Sequence, residues 1–120
     1  MKPKPLTHTL GYPRIGLKRE LKRATEVYWQ GPLSREELEE TARGIRHQNW
    51  LTQQRAGIDL IPSNDFSFYD QMLDLTCLVG NVPPRFGWRG GPVDLNLRFA
   101  IARGVLPEAG GAAPRNCADS

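Results

Sequence analysis

The chain has 120 residues, 39% hydrophobic and 24% charged, with a formal net charge of +3. This length suits one compact domain and excludes two independent ones, and the ordinary apolar share excludes a chain that is disordered throughout. Because no apolar run approaches the roughly 18 residues of a membrane span and no apolar leader follows Met1, we expect a soluble, cytoplasmic protein.

The first predicted unit is a short strand over 6–10, a turn rich in helix breakers over 11–16 and a helix over about 17–30. The helix is indicated by apolar residues at steps of four, three and four: Leu17, Leu21, Ala24 and Tyr28. A Gly-Pro pair follows it and predicts its end.

The second unit has a helix over about 34–56, which begins with Ser34-Arg35-Glu36-Glu37, a sequence typical of a capping box. A strand is predicted over 58–62 and a polar loop over 63–65. The next helix is marked by regularly spaced apolar residues: Phe68, Met72, Leu75 and Val79. One more helix is predicted over about 93–103.

Two repeats of strand, loop and helix are typical of an α/β fold with a parallel sheet. Because such folds place their chemistry at the C-terminal ends of strands, the pattern draws attention to Arg14 and to Asn64 and Asp65. For Asn64 and Asp65, capping or turn formation explains the residue types at least as well as substrate contact. His8 is expected to be structural. The aromatic residues are expected to pack in the core: Phe66, Phe68, Tyr69, Trp29, Trp50 and Trp88.

Positive charge is concentrated at the start of the chain. Residues 1–23 contain seven basic residues and one acidic residue, residues 24–79 contain four and nine, and residues 80–120 contain five and three. A basic arm of this kind favours an anionic ligand, partner or nucleic acid. A solvated helix face is the simpler alternative.

Within this arm, the turn before the first helix is the strongest candidate for a binding segment. Free amides at a helix start favour an anion, and Arg14, Lys18, Arg19 and Lys22 lie in or just after the turn. On the predicted helix, Lys18 with Lys22 and Arg19 with Arg23 form two rows of cations. We therefore expect a ligand with several carboxylates or phosphates.

No metal site is predicted, because the available Cys and His residues have no zinc-binding spacing: Cys77, Cys117, His8 and His47. Cys77 is expected to be a small core residue.

A series of motifs runs through about 100 of the 120 residues. They are His8-Thr9-Leu10-Gly11-Tyr12-Pro13-Arg14-Ile15-Gly16, Arg19-Glu20-Leu21-Lys22, Tyr28-Trp29, Ala56-Gly57-Ile58-Asp59-Leu60-Ile61-Pro62-Ser63-Asn64-Asp65-Phe66, Tyr69-Asp70 and Gly80-Asn81-Val82-Pro83. In this order and spacing they resemble the start of the cobalamin-independent methionine synthase family. Members of that family transfer a methyl group from 5-methyltetrahydropteroyl-polyglutamate to homocysteine, using zinc and no cobalamin, and have two (β/α)8 barrels.

The resemblance implies an α/β fold in which 1–106 form the first strand–helix units of an incomplete (β/α)8 TIM barrel, a partial folate-binding domain. It also implies that the folate substrate is contacted by one stretch: Arg19, Glu20, Leu21 and Lys22. We expect Arg19 and Lys22 to bind the polyglutamate tail, Arg14 and Lys18 to add steering charge, and Glu20 to be a structural partner.

The resemblance places the zinc ligands in the family's C-terminal barrel, and no stretch here matches them. We therefore expect no catalytic residue and no metal ligand in this chain, no S-methyltransferase activity from the chain alone, and homocysteine binding only when the missing barrel is supplied. Half a barrel also leaves edges and faces without partners, so we expect a marginal, aggregation-prone chain.

The likeness fades near residue 104, and we expect a divergent, disordered tail over 107–120. We interpret the change as a truncated or frame-shifted reading frame. Three alternatives stay open: a stand-alone module for folate polyglutamate or another polyanion, a non-functional remnant, and a nucleic-acid-binding peptide over residues 2–23, which the motifs disfavour. No membrane or nucleic-acid partner is expected.

Overall fold

The computed structural model describes residues 2–105, which contain four α-helices and one 3₁₀ helix. The α-helices are α1 (Glu20–Gln30), α2 (Arg35–Arg55), α3 (Gln71–Leu78) and α4 (Leu95–Arg103), and the 3₁₀ helix is Pro84–Phe86. The four predicted helices are therefore confirmed, each somewhat shorter than predicted. The predicted disordered tail over 107–120 lies outside the described residues.

Local end signals fix the junction between α1 and α2. Gly31 ends α1 with φ 103°, and its amide donates to the carbonyls of Val27 and Tyr28. The Ser34 hydroxyl accepts from the Glu37 amide, and the Glu37 carboxylate accepts from the Ser34 amide at 2.8 Å, which completes the predicted capping box. These hydrogen bonds hold the pKa of Glu37 below its ordinary value.

Aspartate side chains begin α3 and α4. Asp70 accepts a hydrogen bond from the Leu73 amide at 3.0 Å, and Asp94 accepts one from the Leu97 amide at 2.7 Å. The apolar spacing predicted that α3 begins near Phe68. The helix starts later because the Asp70 carboxylate satisfies an orphan amide from the N-cap position.

Neither predicted strand is present as a regular strand in the described part of the chain. The segments 6–10 and 58–62 meet instead at one parallel bridge, between His8 and Leu60. Consecutive strand–helix units require parallel pairing, so the direction agrees with the expected architecture. The incomplete barrel itself stays a prediction.

A side chain limits this pairing to one bridge. The Leu60 amide donates to the Thr7 carbonyl at 2.9 Å, as in a ladder. The Thr7 amide, however, donates to the Asp59 carboxylate at 2.9 Å, and the Thr7 hydroxyl donates to the same oxygen at 3.0 Å. Because a carboxylate has taken the Thr7 amide, backbone pairing does not continue on this side of the bridge, and a side chain joins the two segments there.

The core lies where α1, α2 and α4 meet. Its buried centre consists of Leu38, Leu95 and Phe99. Partly buried residues pack against it: Ala24, Tyr28, Trp29, Leu33 and Phe68. The rings of Trp29 and Phe68 meet Phe99 edge-on, at centroid distances of 5.3 and 6.2 Å. The expected packing role of these two aromatic residues is confirmed.

The apolar side of α3 faces outward. Met72, Leu75 and Val79, whose spacing predicted the helix, are 69%, 54% and 68% exposed, and Leu78 is 80% exposed. Cys77 is the buried residue of this helix, as predicted. The four exposed side chains form an apolar surface, the α3 face, that no described residue covers. None of the helices within 2–105 combines the length and the apolar content of a membrane span.

Candidate anion-binding site

A glycine-rich segment over 11–16, the glycine turn, leads into α1. Gly11 and Gly16 have φ values of 151° and 86°, which glycine adopts without steric cost. A Cβ on Gly11 would lie 2.9 Å from the Asp65 side chain, so the close approach also requires glycine. At this approach the Asp65 carboxylate accepts a hydrogen bond from the Tyr12 amide at 2.8 Å.

Two further hydrogen bonds hold the next residues of the glycine turn. Asn49 on α2 donates from Nδ2 to the Pro13 carbonyl at 3.3 Å, and Arg14 donates from Nη1 to the Phe68 carbonyl at 2.9 Å. Asp65 and Phe68 both belong to the loop that precedes α3. Three successive residues of the turn are therefore fixed by elements that are distant in sequence.

The entry into α1 has an unusual backbone. Arg19 is the N-cap, and with φ 61° and ψ 36° it is the one non-glycine residue of positive φ in the described chain. The Glu20 carboxylate folds back and accepts a hydrogen bond from the Lys18 amide at 2.9 Å. A Cβ on Gly16 would overlap this carboxylate. Glu20 therefore has a structural partner within the chain.

The predicted rows of cations along α1 are wrong, because Lys18 and Arg19 precede the helix. Left-handed backbone at Gly16 and Arg19 delays the helix start, and the apolar spacing alone does not reveal it. Lys22 is on the helix and pairs with Glu26 at 3.6 Å, with both side chains 47% exposed. Since an exposed pair of this kind contributes about 0–1 kcal/mol, Lys22 can exchange its partner for a ligand carboxylate.

The six predicted site residues differ in what they offer a ligand. Three have exposed side chains: Lys18, Arg19 and Lys22. Arg14 is half-buried, with one donor engaged at Phe68. Leu21 is fully buried, and its amide donates to the Ile15 carbonyl at 3.1 Å, so it anchors the segment instead of contacting solvent. The arrangement offers exposed cations for an anion and contains no activated nucleophile. The amides of Lys18, Arg19 and Leu21 already donate to acceptors within the chain, so the expected free amides are not available at these residues.

The sequence allowed two roles for Asp65, turn formation and substrate contact. Its carboxylate accepts a hydrogen bond from the Tyr12 amide, so it has the first role, turn formation. Phe66 packs edge-on against Phe68 at 5.9 Å. The Trp50 indole donates to the Pro62 carbonyl at 3.2 Å. These contacts give Phe66 and Trp50 structural roles. Trp50 and Tyr69 are 36% and 42% exposed, however, so the expectation that these two side chains pack in the core is wrong.

The sequence did not single out Asn49 or Gln53. Gln53 is buried, accepts a hydrogen bond from the Thr9 hydroxyl at 2.6 Å and donates to the Asn49 carbonyl. Both residues continue the stripe of Ala42 and Ile45 at steps of four. Their position could have been noticed in the sequence, because a polar residue on the apolar side of a helix indicates a buried polar contact.

The described residues do not fit a catalytic zinc ion. Within 2–105 no group of three or more His, Cys, Asp or Glu side chains is placed to hold a metal. Cys77 is buried beside Asp74 and Arg98, and burial raises the pKa of its thiol, which disfavours the thiolate that zinc requires. Burial also raises the pKa of Asp74. The Arg98 guanidinium, 3.8 Å away, acts in the opposite direction and lowers this pKa, but by less.

Comparison with known proteins extends over most of the chain. Residues 6–114 match the family model described as cobalamin-independent synthase, N-terminal domain. The chain is 57% identical over 96 residues to the 5-methyltetrahydropteroyltriglutamate–homocysteine methyltransferase of Salinibacter ruber, covering 80% of this chain and 12% of the relative. The chain is 56% identical over 103 residues to the enzyme of the same name from Nitrosomonas europaea, covering 86% of this chain and 14% of the relative. That of Syntrophotalea carbinolica is 54% identical over 99 residues, covering 82% and 13%.

Proposed function

The chain belongs to the cobalamin-independent synthase family, in the N-terminal domain, and we propose that it supplies part of the folate-binding surface of a methyltransferase that makes methionine. The matches cover only 12–14% of these relatives' own length. The donor of the proposed reaction is 5-methyltetrahydropteroyltriglutamate and the acceptor is homocysteine, the two compounds for which the relatives are named.

One observation carries the proposal: exposed cations follow a turn that the rest of the chain holds in place. Lys18, Arg19 and Lys22 are exposed directly after the glycine turn. Hydrogen bonds with three residues outside the turn hold it in place: Asp65, Asn49 and Phe68. A polyglutamate tail is a row of carboxylates. Arg19 can grip a carboxylate bidentately, whereas a lysine acts as a point charge.

Each of the six site residues has a part in the proposal. Arg19 and Lys22 bind tail carboxylates, Lys18 and Arg14 add positive potential, and Glu20 and Leu21 hold the backbone that carries them. Glu20 does so through the Lys18 amide and Leu21 through its burial. Because the cations are exposed, we expect salt to weaken binding.

We further propose that the described residues are the first strand–helix units of a (β/α)8 barrel in a cytoplasmic enzyme. The parallel bridge between His8 and Leu60 supports this architecture. The proposed methyl transfer uses a zinc-activated thiolate, which the residues described here do not provide. We therefore expect the chain alone to show no methyl transfer in a zinc-supplemented assay.

Titration of the chain with triglutamylated and monoglutamylated 5-methyltetrahydrofolate tests the proposed binding function. The triglutamate carries two more carboxylates. Taking each added contact as an exposed ion pair of about 0.2–1 kcal/mol, we expect it to bind roughly 2- to 30-fold more tightly. The difference should shrink as salt rises. Equal affinity for the two ligands would contradict the proposal.

A further inference from the structure

We infer that Asp65 is a positioning residue for the polyglutamate site: its carboxylate holds the glycine turn and thereby sets the preference for a long glutamyl tail, without contacting the tail. The inference rests on the proposed function and extends it to a residue outside the cationic segment.

Charge argues against direct contact between Asp65 and the tail. A carboxylate repels other carboxylates, so an acidic residue beside a polyanion site needs another reason to be there. The structure provides one. The Asp65 carboxylate accepts from the Tyr12 amide at 2.8 Å, and the absence of a Cβ on Gly11 allows its approach.

Asp65 is itself held in place from α3. Gln71, the first residue of that helix, donates from Nε2 to the Asp65 carbonyl at 2.7 Å. A backbone contact on one side and a carboxylate contact on the other make Asp65 a link between α3 and the glycine turn. The hydrogen bond from Tyr12 is part-buried, whereas the one from Gln71 is exposed.

Local backbone hydrogen bonds connect the glycine turn to the cations. The Arg19 amide donates to the Gly16 carbonyl, and the Leu21 amide donates to the Ile15 carbonyl, both at 3.1 Å. Arg19 also has left-handed backbone, a conformation that persists only when its surroundings impose it. Release of the turn at Tyr12 should therefore let Arg19 leave the geometry in which its guanidinium meets the tail.

The test measures the ratio of monoglutamate to triglutamate dissociation constants, because a purely structural role would lower both affinities and leave the ratio unchanged. Asp65→Ala should reduce the ratio from its roughly 2- to 30-fold value toward one. Asp65→Asn keeps an oxygen acceptor for the Tyr12 amide and removes the negative charge, so it should keep or raise the ratio.

Asp59→Ala is the matched control. It removes another carboxylate that joins the same two regions of the chain, through Thr7, but leaves the glycine turn untouched. We expect Asp59→Ala to keep the ratio. If Asp65→Ala keeps the ratio, or if both alanine variants lose it equally, the inference is overturned.

Three further outcomes have a defined meaning. If Asp65→Ala loses its helical far-ultraviolet circular dichroism, Asp65→Asn decides the matter, and a ratio near one in that folded variant overturns the inference. A ratio of one in the unmodified chain contradicts the proposed function and the inference with it. A ratio that is present in the unmodified chain but insensitive to Asp65 contradicts the inference alone.

Discussion

The carboxylate of Asp59 accepts hydrogen bonds from both the amide and the hydroxyl of Thr7, across 52 positions of sequence. The Asp59 amide in turn donates to the Thr7 hydroxyl at 3.0 Å. This pair joins the segment that leads to the glycine turn to the segment that follows α2, next to the parallel bridge. These side-chain hydrogen bonds hold the two segments together, as backbone hydrogen bonds do in a regular pair of strands.

Asp59→Asn should make stability less dependent on acid pH. Hydrogen bonds from Thr7 lower the pKa of Asp59 in the folded chain. Because the folded pKa is depressed, the stabilisation is present above the unfolded value of about 3.9 and is lost as the pH falls through the folded value. The Tm difference between the two chains should be largest between pH 5 and 7 and should narrow below about pH 4. A constant difference down to pH 3 would refute this prediction.

Ser34→Ala should destabilise the chain by about 0.5–2 kcal/mol, because Ser34 caps α2 through its hydroxyl. Urea unfolding followed by circular dichroism measures this difference. Ser34→Thr keeps a capping hydroxyl and should lie closer to the unmodified chain. An alanine variant as stable as the unmodified chain would show that the capping box does not stabilise α2.

Lysine substitution on the α3 face should reduce self-association with little loss of stability. Leu78 is 80% exposed, so Leu78→Lys removes apolar surface without opening a cavity. Gln54→Lys adds the same charge at an exposed position of α2 and keeps the apolar side chains of the α3 face, which makes it the control. Sedimentation velocity should show less association for Leu78→Lys than for Gln54→Lys. Equal association of the two variants would mean that added charge, and not loss of apolar surface, changes self-association, and would contradict the prediction.

The helices could be predicted from sequence because local chemistry determines their ends. The capping box at Ser34 and the glycine at Gly31 predicted the junction of α1 and α2 to within a residue or two. The start of α1 could not be predicted in this way, since the left-handed backbone at Arg19 depends on contacts of the turn. Periodicity also predicted which side of α3 is apolar, but not whether a partner covers it.

The sequence predicted the cluster of cations at the candidate site, but not the contacts that position these residues. The sequence placed Arg14, Lys18 and Arg19 beside a glycine turn, and the structure exposes two of the three. The hydrogen bond from Tyr12 to Asp65 spans 53 positions, and no local pattern pairs such distant residues. The resemblance to a family, not the composition, indicated a polyglutamate as the anion.

The most direct test of the polyglutamate site is the affinity of Arg19→Gly for triglutamylated 5-methyltetrahydrofolate, measured by calorimetric titration beside Arg23→Ala. Glycine adopts the left-handed backbone of Arg19 freely, so this variant removes the guanidinium and keeps the helix cap. Arg23→Ala removes an equal charge from an exposed position on α1 that is outside the proposed site.

If Arg19 binds the tail, Arg19→Gly removes one ion pair of about 0.2–1 kcal/mol and should weaken triglutamate binding by about 1.4- to 5-fold beyond any loss in Arg23→Ala. Monoglutamate binding should change less. The same affinity in the two variants would mean that Arg19 contributes only net charge, and would contradict a polyglutamate site at the start of α1.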